Sequence, residues 1–360
     1  MELSRKLSNY LRYHAEYYGE DGTFIPDPWR LRDFGGPHFH AHTIGLLSMI
    51  EYALAAQDKE FLQFCLRSYE WGKTKGLGSD LIGFFPENIS PDCKTVETCE
   101  VADMIAIALK LSQAGVADCW DDADRWIRNQ FFENQLTETE WIYELAAQQP
   151  PRPKLEYNET SNRVAERNLG AFASWAPANE FGTGIMHCCT GNAARAVYYI
   201  WDSILAHENG TLWLNLLMNR ASRWADVYSH IPYEGKVELK IKRDLNLVMI
   251  RVPQWINSGD ASVQLQVNGS SKAVKWEGRY IDCGKVVTGD RIMLTFPISI
   301  TTVKETIGGV PYTLTLKGNT VIKIDPPGKH GALFNREYYS GSRAPMRTVE
   351  RFVSDTDIHW

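Results

Sequence analysis

Two short patterns in this chain gather residue types suited to holding a soft divalent metal. They are Val96-Glu97-Thr98-Cys99 and His187-Cys188-Cys189-Thr190-Gly191-Asn192. Three sulfurs and a carboxylate match the four-coordinate, borderline-soft preference of Zn²⁺. Glu97 and Cys99 stand two positions apart, which on a regular helix points them to nearly opposite sides. They can share a ligand only from extended chain, or from the loop entering the helix that Val101 begins. Cys188 and Cys189 precede the helix led by Asn192, and the positive end of a helix favours thiolate. Thiolate is the form that binds metal and attacks electrophiles. Spacing alone leaves another reading open, because vicinal cysteines are often two packed thiols and the paired C-x-x-C of a zinc finger is absent.

Other residues carry weaker signals. Glu87 in Phe84-Phe85-Pro86-Glu87-Asn88 sits among aromatics that would raise its affinity for a proton, or is an exposed loop carboxylate. His38, His40 and His42 alternate at the entrance to a helix, where they can serve a ligand, a second metal, or only the core and surface. Trp175, Trp213 and Trp224 are stacking platforms or core. Cys65 and Cys119 fall on apolar helical faces and read as packed thiols, and Cys93 and Cys283 have no evident role.

The elements that must position these groups change character along the chain. Leu3, Leu7, Tyr10, Leu11 and His14 recur at helical spacing, as do Leu46, Met49, Ile50, Ala53 and Leu54. Phe61 to Tyr69, Val101 to Leu111, Trp120 to Phe131 and Val197 to Leu205 add four more stripes, with weaker ones around Trp141 and Arg163. Turn chemistry at Phe34-Gly-Gly-Pro37 and Gln148 to Pro153 separates them. Successive helices with short links predict a bundle or an α/α barrel over 1–208. After His207-Glu-Asn-Gly210 the period becomes two, in Val237–Lys242, Leu247–Val252, Ser262–Val267 and Arg291–Phe296. Val267-Asn-Gly269 and Thr288-Gly-Asp290 supply turns. This predicts an antiparallel β-sandwich over 209–300, followed over 301–360 by further strands and an irregular tail. The fold class expected is therefore multidomain α and β.

Bulk properties exclude some partners. A net charge of −6 with no basic block argues against nucleic acid and anionic membranes. No stretch approaches the roughly 18 consecutive apolar residues of a membrane span. Seven scattered cysteines and a start without a long apolar run predict reduced thiols in a cytoplasmic setting.

The run Glu97-Thr-Cys99 followed by a helix, then Cys188-Cys-Thr-Gly-Asn192 opening another, resembles glycoside hydrolase family 127 and its relatives. Ile250-Arg-Val-Pro-Gln-Trp-Ile256, Val267-Asn-Gly269 and Gly289-Asp-Arg-Ile-Met-Leu294 resemble that family's sandwich strands in the same order, so the resemblance runs from about His38 to Ile300. It implies one zinc held by Glu97, Cys99, Cys188 and Cys189 in the mouth of an α/α barrel. It implies Cys188 as the nucleophile of a retaining hydrolase, forming a thioglycosyl enzyme, and a carboxylic acid as the proton donor. The implied substrate is a furanoside in a glycoside or oligosaccharide, β-L-arabinofuranoside first, and His40 and His42 resemble the family's sugar contacts.

The sequence also departs from the family. The acid/base glutamate would fall about sixteen residues before Glu97, where Leu81 stands; Glu87 is the nearby candidate. A barrel of this sort closes with about twelve helices, more than the stripes before residue 209. The expectation is an N-terminally shortened chain, or a half-barrel completed as a homo-oligomer, weak or inactive alone. Two competing expectations are a non-catalytic protein with the same four ligands around a structural zinc, and a polysaccharide lyase of another α/α class.

Overall fold

The structure is a computed structural model that describes residues 1–25, 37–75, 80–90, 93–150, 158–182 and 184–353. The expected turns at 34–36 and 151–153, and the last residues of the tail, lie outside these. Helices α1 (Glu2–Tyr13), α2 (Phe39–Ala56), α3 (Lys59–Lys75), α4 (Thr98–Gln113), α5 (Trp120–Trp126), α6 (Glu140–Ala147) and α7 (His187–Ile204) follow the expected stripes. None among the described residues is long and apolar enough to cross a membrane. Two short strands, β1 (Val96–Glu97) and β2 (Trp175–Ala176), pair antiparallel within the helical part.

The chain divides into two compact units. One comprises Met1–Val197 with Val303–Leu314 and Lys323–Asn335; the other comprises Tyr198–Thr302, Thr315–Ile322 and Arg336–Trp360. In the first unit α4 is the central helix. Apart from Lys110, Ser112 and Gln113 all its residues are buried, against α2, α3 and α5. Its run Val101-Ala-Asp-Met-Ile-Ala-Ile-Ala-Leu109 is apolar nearly all round, which is the composition an enclosed helix requires. The polar exceptions, Glu100 and Asp103, therefore enter the interior with it.

The remaining strands begin at Leu205, directly after α7. They are β3 (Leu205–Glu208), β4 (Thr211–Leu214), β5 (Arg220–Ala221), β6 (Ala225–Ser229), β7 (Lys236–Ile241), β8 (Leu247–Arg251), β9 (Gln264–Val267), β10 (Ser270–Lys272), β11 (Lys275–Glu277), β12 (Tyr280–Asp282), β13 (Arg291–Thr295), β14 (Ile300–Ile307), β15 (Val310–Lys317) and β16 (Thr320–Asp325). A six-stranded sheet has the order β10-β9-β13-β7-β6-β5, a five-stranded sheet the order β11-β12-β8-β4-β3, and a third the order β14-β15-β16. Alternation fixes one buried face on each of the first two, with Val237, Leu239, Ile241, Ile292 and Leu294 inward on one and Leu212, Leu214, Val248 and Ile250 on the other. Asn268 and Gly269 both have positive φ, as the two-residue turn between β9 and β10 demands. One pair departs from the antiparallel expectation: β4 runs parallel to β8. The intervening chain forms β5 to β7 in the other sheet, and a strand returning after such a crossover can pair in the same direction.

Candidate metal centre and its surroundings

Glu97 is extended, at φ −102° and ψ 130°, and immediately precedes the first residue of α4. Cys99 is the second residue of that helix, so the pair straddles a strand-to-helix junction and both side chains turn to the same point. The helix starts at Thr98, three residues earlier than Val101. Cys188 and Cys189 also differ in placement from the expectation, because α7 starts at His187 and both thiols lie inside its first turn. There the free backbone N–H groups still present the positive end of the helix to sulfur.

One donor atom from each of Glu97, Cys99, Cys188 and Cys189 lies within 4.8 Å of all the others. Cys99 Sγ donates to Cys189 Sγ at 3.4 Å, Cys188 Sγ is 3.8 Å from Cys189 Sγ, and Cys189 Sγ is 3.6 Å from Glu97 Oε1. A tetrahedral zinc with its usual bond lengths would separate sulfurs by about 3.8 Å, and sulfur from oxygen by about 3.6 Å. The residues present thus fit a metal of that size and softness. Glu97, Cys99 and Cys189 are buried, whereas Cys188 is exposed. Three thiols this close also disturb one another. The hydrogen bond from Cys99 lowers the Cys189 thiol below its usual range, and the same bond, with burial, pushes Cys99 up. Cys188 is raised by burial and by the neighbouring Cys189 sulfur.

The second oxygen of the Glu97 carboxylate has its own partner. Oε2 accepts a 2.6 Å hydrogen bond from His38 Nε2, which raises the imidazole above its ordinary range. Burial pushes Glu97 up, but the bonds from His38 and Cys99 outweigh it and hold the carboxyl down. Short extended runs bring these groups together. His38 bridges Asn88, Pro86 bridges Val96, Phe39 N–H donates to Glu87 O, and Glu87 N–H donates to Thr95 O. Glu97 is in turn paired across β1 and β2 with Trp175. Glu87 therefore lies beside the cluster, with its carboxylate, the His38 ring and Glu97 within 4.8 Å of one another. Burial raises its pKa and the Glu97 charge adds to this, against opposing pulls from Trp175 and His38.

The remaining candidates separate. His40 lies 5.8 Å from the His38 ring and places Nδ1 2.9 Å from Asp103 Oδ2, outside good hydrogen-bond geometry. Asp103 also receives Arg195 from α7 at 2.5 Å and the Thr43 hydroxyl at 2.9 Å. His42 is fully buried between Tyr18, Phe24, Phe39 and Trp71, and neither ring nitrogen has a hydrogen-bond partner. As a sugar contact it has no surface through which to act. Trp224 stacks on His207 at 3.7 Å, and Trp213 meets Tyr280 edge-on. Cys65 and Cys119 are packed thiols as expected, each pushed by burial to about 12. In sequence His38 is one of three alternating histidines, and nothing singles it out over His40 and His42.

No protein-family model matches the sequence, and comparison with curated proteins gives no match. Solved structures do match. A family 127 β-L-arabinofuranosidase from Geobacillus stearothermophilus superimposes with a TM-score of 0.51 at 17% identity, over 79% of this chain and 46% of the other. Another family 127 β-arabinofuranosidase gives 0.57 at 16% identity, over 79% and 47%. A structure described as a glycoside hydrolase gives 0.58 at 13%, over 89% and 56%. The chain spans about half the length of these structures. What it shares with them is the fold, a mixed assembly of helices and several antiparallel sheets.

Proposed function

We propose that this chain belongs to a retaining glycoside hydrolase in which Cys188 is the nucleophile, with a furanoside as substrate and β-L-arabinofuranoside as the first candidate. The observation that carries this reading is the convergence of Glu97, Cys99, Cys188 and Cys189 from two distant segments, with Cys188 alone of the four facing solvent and the Glu87 carboxyl, its pKa raised by burial, beside them. The metal assigned is zinc, and its charge would keep the sulfurs deprotonated despite their mutual repulsion. Cys188 then attacks the anomeric carbon while Glu87 protonates the leaving oxygen. In the second half Glu87 takes a proton from water, which displaces sulfur with the anomeric configuration retained. His40 is the proposed substrate contact. The helical unit is proposed as part of an α/α barrel, a reading that rests on its successive helices.

A panel of nitrophenyl furanosides, with and without chelator, tests the activity. Wild-type protein is expected to carry about one zinc per chain and to hydrolyse an arabinofuranoside. Cys188→Ser should abolish turnover with the fold intact, and mass spectrometry should find the sugar adduct on Cys188. An adduct on Cys189 would reverse the assignment, and unchanged zinc in a Cys99→Ser, Cys189→Ser double variant would remove the metal site. The competing reading, a structural zinc, draws on the same closed set of four ligands. It expects bound zinc, lowered stability in chelator, and no turnover of any furanoside.

A further inference from the structure

The unit containing the two large sheets has a cleft of about 980 Å³ that shares no residue with the metal centre. The edge strand β5, its neighbour β6, the chain that follows β6, and the segment from Tyr338 to Phe352 enclose it. Two features define its chemistry. Arg220, Arg347 and Arg351 all line it, and no aspartate or glutamate does among the described residues, in a chain whose net charge is −6. The remaining walls are rich in aromatic rings, including Tyr228, Tyr233 and Tyr338.

Two of the arginines are held in place. Arg220 places Cζ 4.1 Å from the centre of the Trp201 ring, donates to Asp202 O at 2.7 Å and Leu205 O at 3.1 Å, and is only 10% exposed. Its one carboxylate neighbour, Asp202, is 4.0 Å away, and its Nε is buried without a hydrogen-bond partner. Arg351 lies over Tyr228 at 4.6 Å and donates to Val227 O at 3.1 Å. Arg347 is exposed. A planar guanidinium recognises a carboxylate through paired hydrogen bonds, and an aromatic face packs against the C–H face of a sugar ring. The cleft is at the upper end of the volume of ordinary ligand sites, with room for more than one ring.

We propose that this cleft binds an acidic oligosaccharide, with the carboxylates of its uronate residues on the arginines and its rings on the tyrosines. The choice of a glycan over another anion rests on the glycosidase reading, but binding here does not require hydrolysis. The test is calorimetric titration of the whole chain with trigalacturonic acid, with maltotriose as the neutral counterpart and inorganic sulfate as the bare anion. Trigalacturonic acid should bind, more weakly as salt rises. Arg347→Ala and Tyr338→Ala should each weaken it by about tenfold, while Cys188→Ser leaves it unchanged. If the furanosides are not cleaved yet this pattern holds, the function reading fails and the binding proposal stands. No binding, equal binding of maltotriose, sulfate binding as tight as the trisaccharide, or insensitivity to both cleft variants would each overturn it.

Discussion

Glu97 shows how a single carboxylate can serve two neighbours. Oε1 faces sulfur and Oε2 faces His38, so the imidazole fixes which lone pairs point at the metal position. Partners of this kind orient a ligand, and removing one typically weakens metal binding by about 10- to 100-fold. His38→Ala is therefore expected to lose zinc to a competing chelator at concentrations the wild type resists, with its circular dichroism unchanged. Equal retention by both proteins would deny His38 this role. Glu87 yields a second expectation. If it is the proton donor, Glu87→Gln should slow substrates with poor leaving groups far more than activated ones, because only the former need the proton. Equal loss on both would exclude it. The four proposed ligands were legible in sequence because sulfur and carboxylate at such spacing are rare combinations. The His38–Glu97 bond was not, since it joins positions 59 apart, and nothing local marks which of three alternating histidines will meet a carboxylate.

Among the elements, α2 illustrates what a helix can conceal. His42 occupies its inner face beneath aromatic rings, and burial pushes the imidazole down to about 3 from an ordinary 6.5. The sign follows from linkage. The folded state holds His42 neutral, so its contribution is fully present above about pH 6.5 and drains away as pH falls towards the folded value. Between pH 8 and pH 5 the loss is about 2 kcal/mol. Urea unfolding should show the wild type losing about that much more stability across this interval than His42→Leu, and parallel losses in the two would contradict the assignment. Helix positions were readable because stripes such as Val101, Met104, Ile105, Ala108 and Leu111 span several turns. Strands as short as Arg220–Ala221 carry too few residues to display a period. The parallel pairing of β4 with β8 depends on a crossover that no local pattern records.

On the scale of the whole molecule, α1 stands out as a helix whose apolar stripe remains uncovered. Leu3, Leu7, Tyr10 and Tyr13 are each more than half exposed, and Ser8 is its one buried residue. Such a stripe is the face that a helix ordinarily buries. Exposed apolar stripes favour self-association, so copies of the chain are expected to associate through this helix. Light scattering should show a mass that rises with concentration, and the Leu3→Glu, Leu7→Glu double variant should remain monomeric with an unchanged Tm. A wild-type monomer at high concentration would refute this. The candidate metal centre, too, has a meaning at this scale. Cys99 and Cys189 are 90 positions apart, so a cation gripping both acts as a clip across a long loop of chain. Closing a loop of that length removes about 4–5 kcal/mol of freedom from the unfolded chain in the cross-link model, a sum comparable with the whole stability of a small domain. If these residues hold zinc as proposed, the stability of the protein, and with it its abundance in a cell, would follow the metal supply.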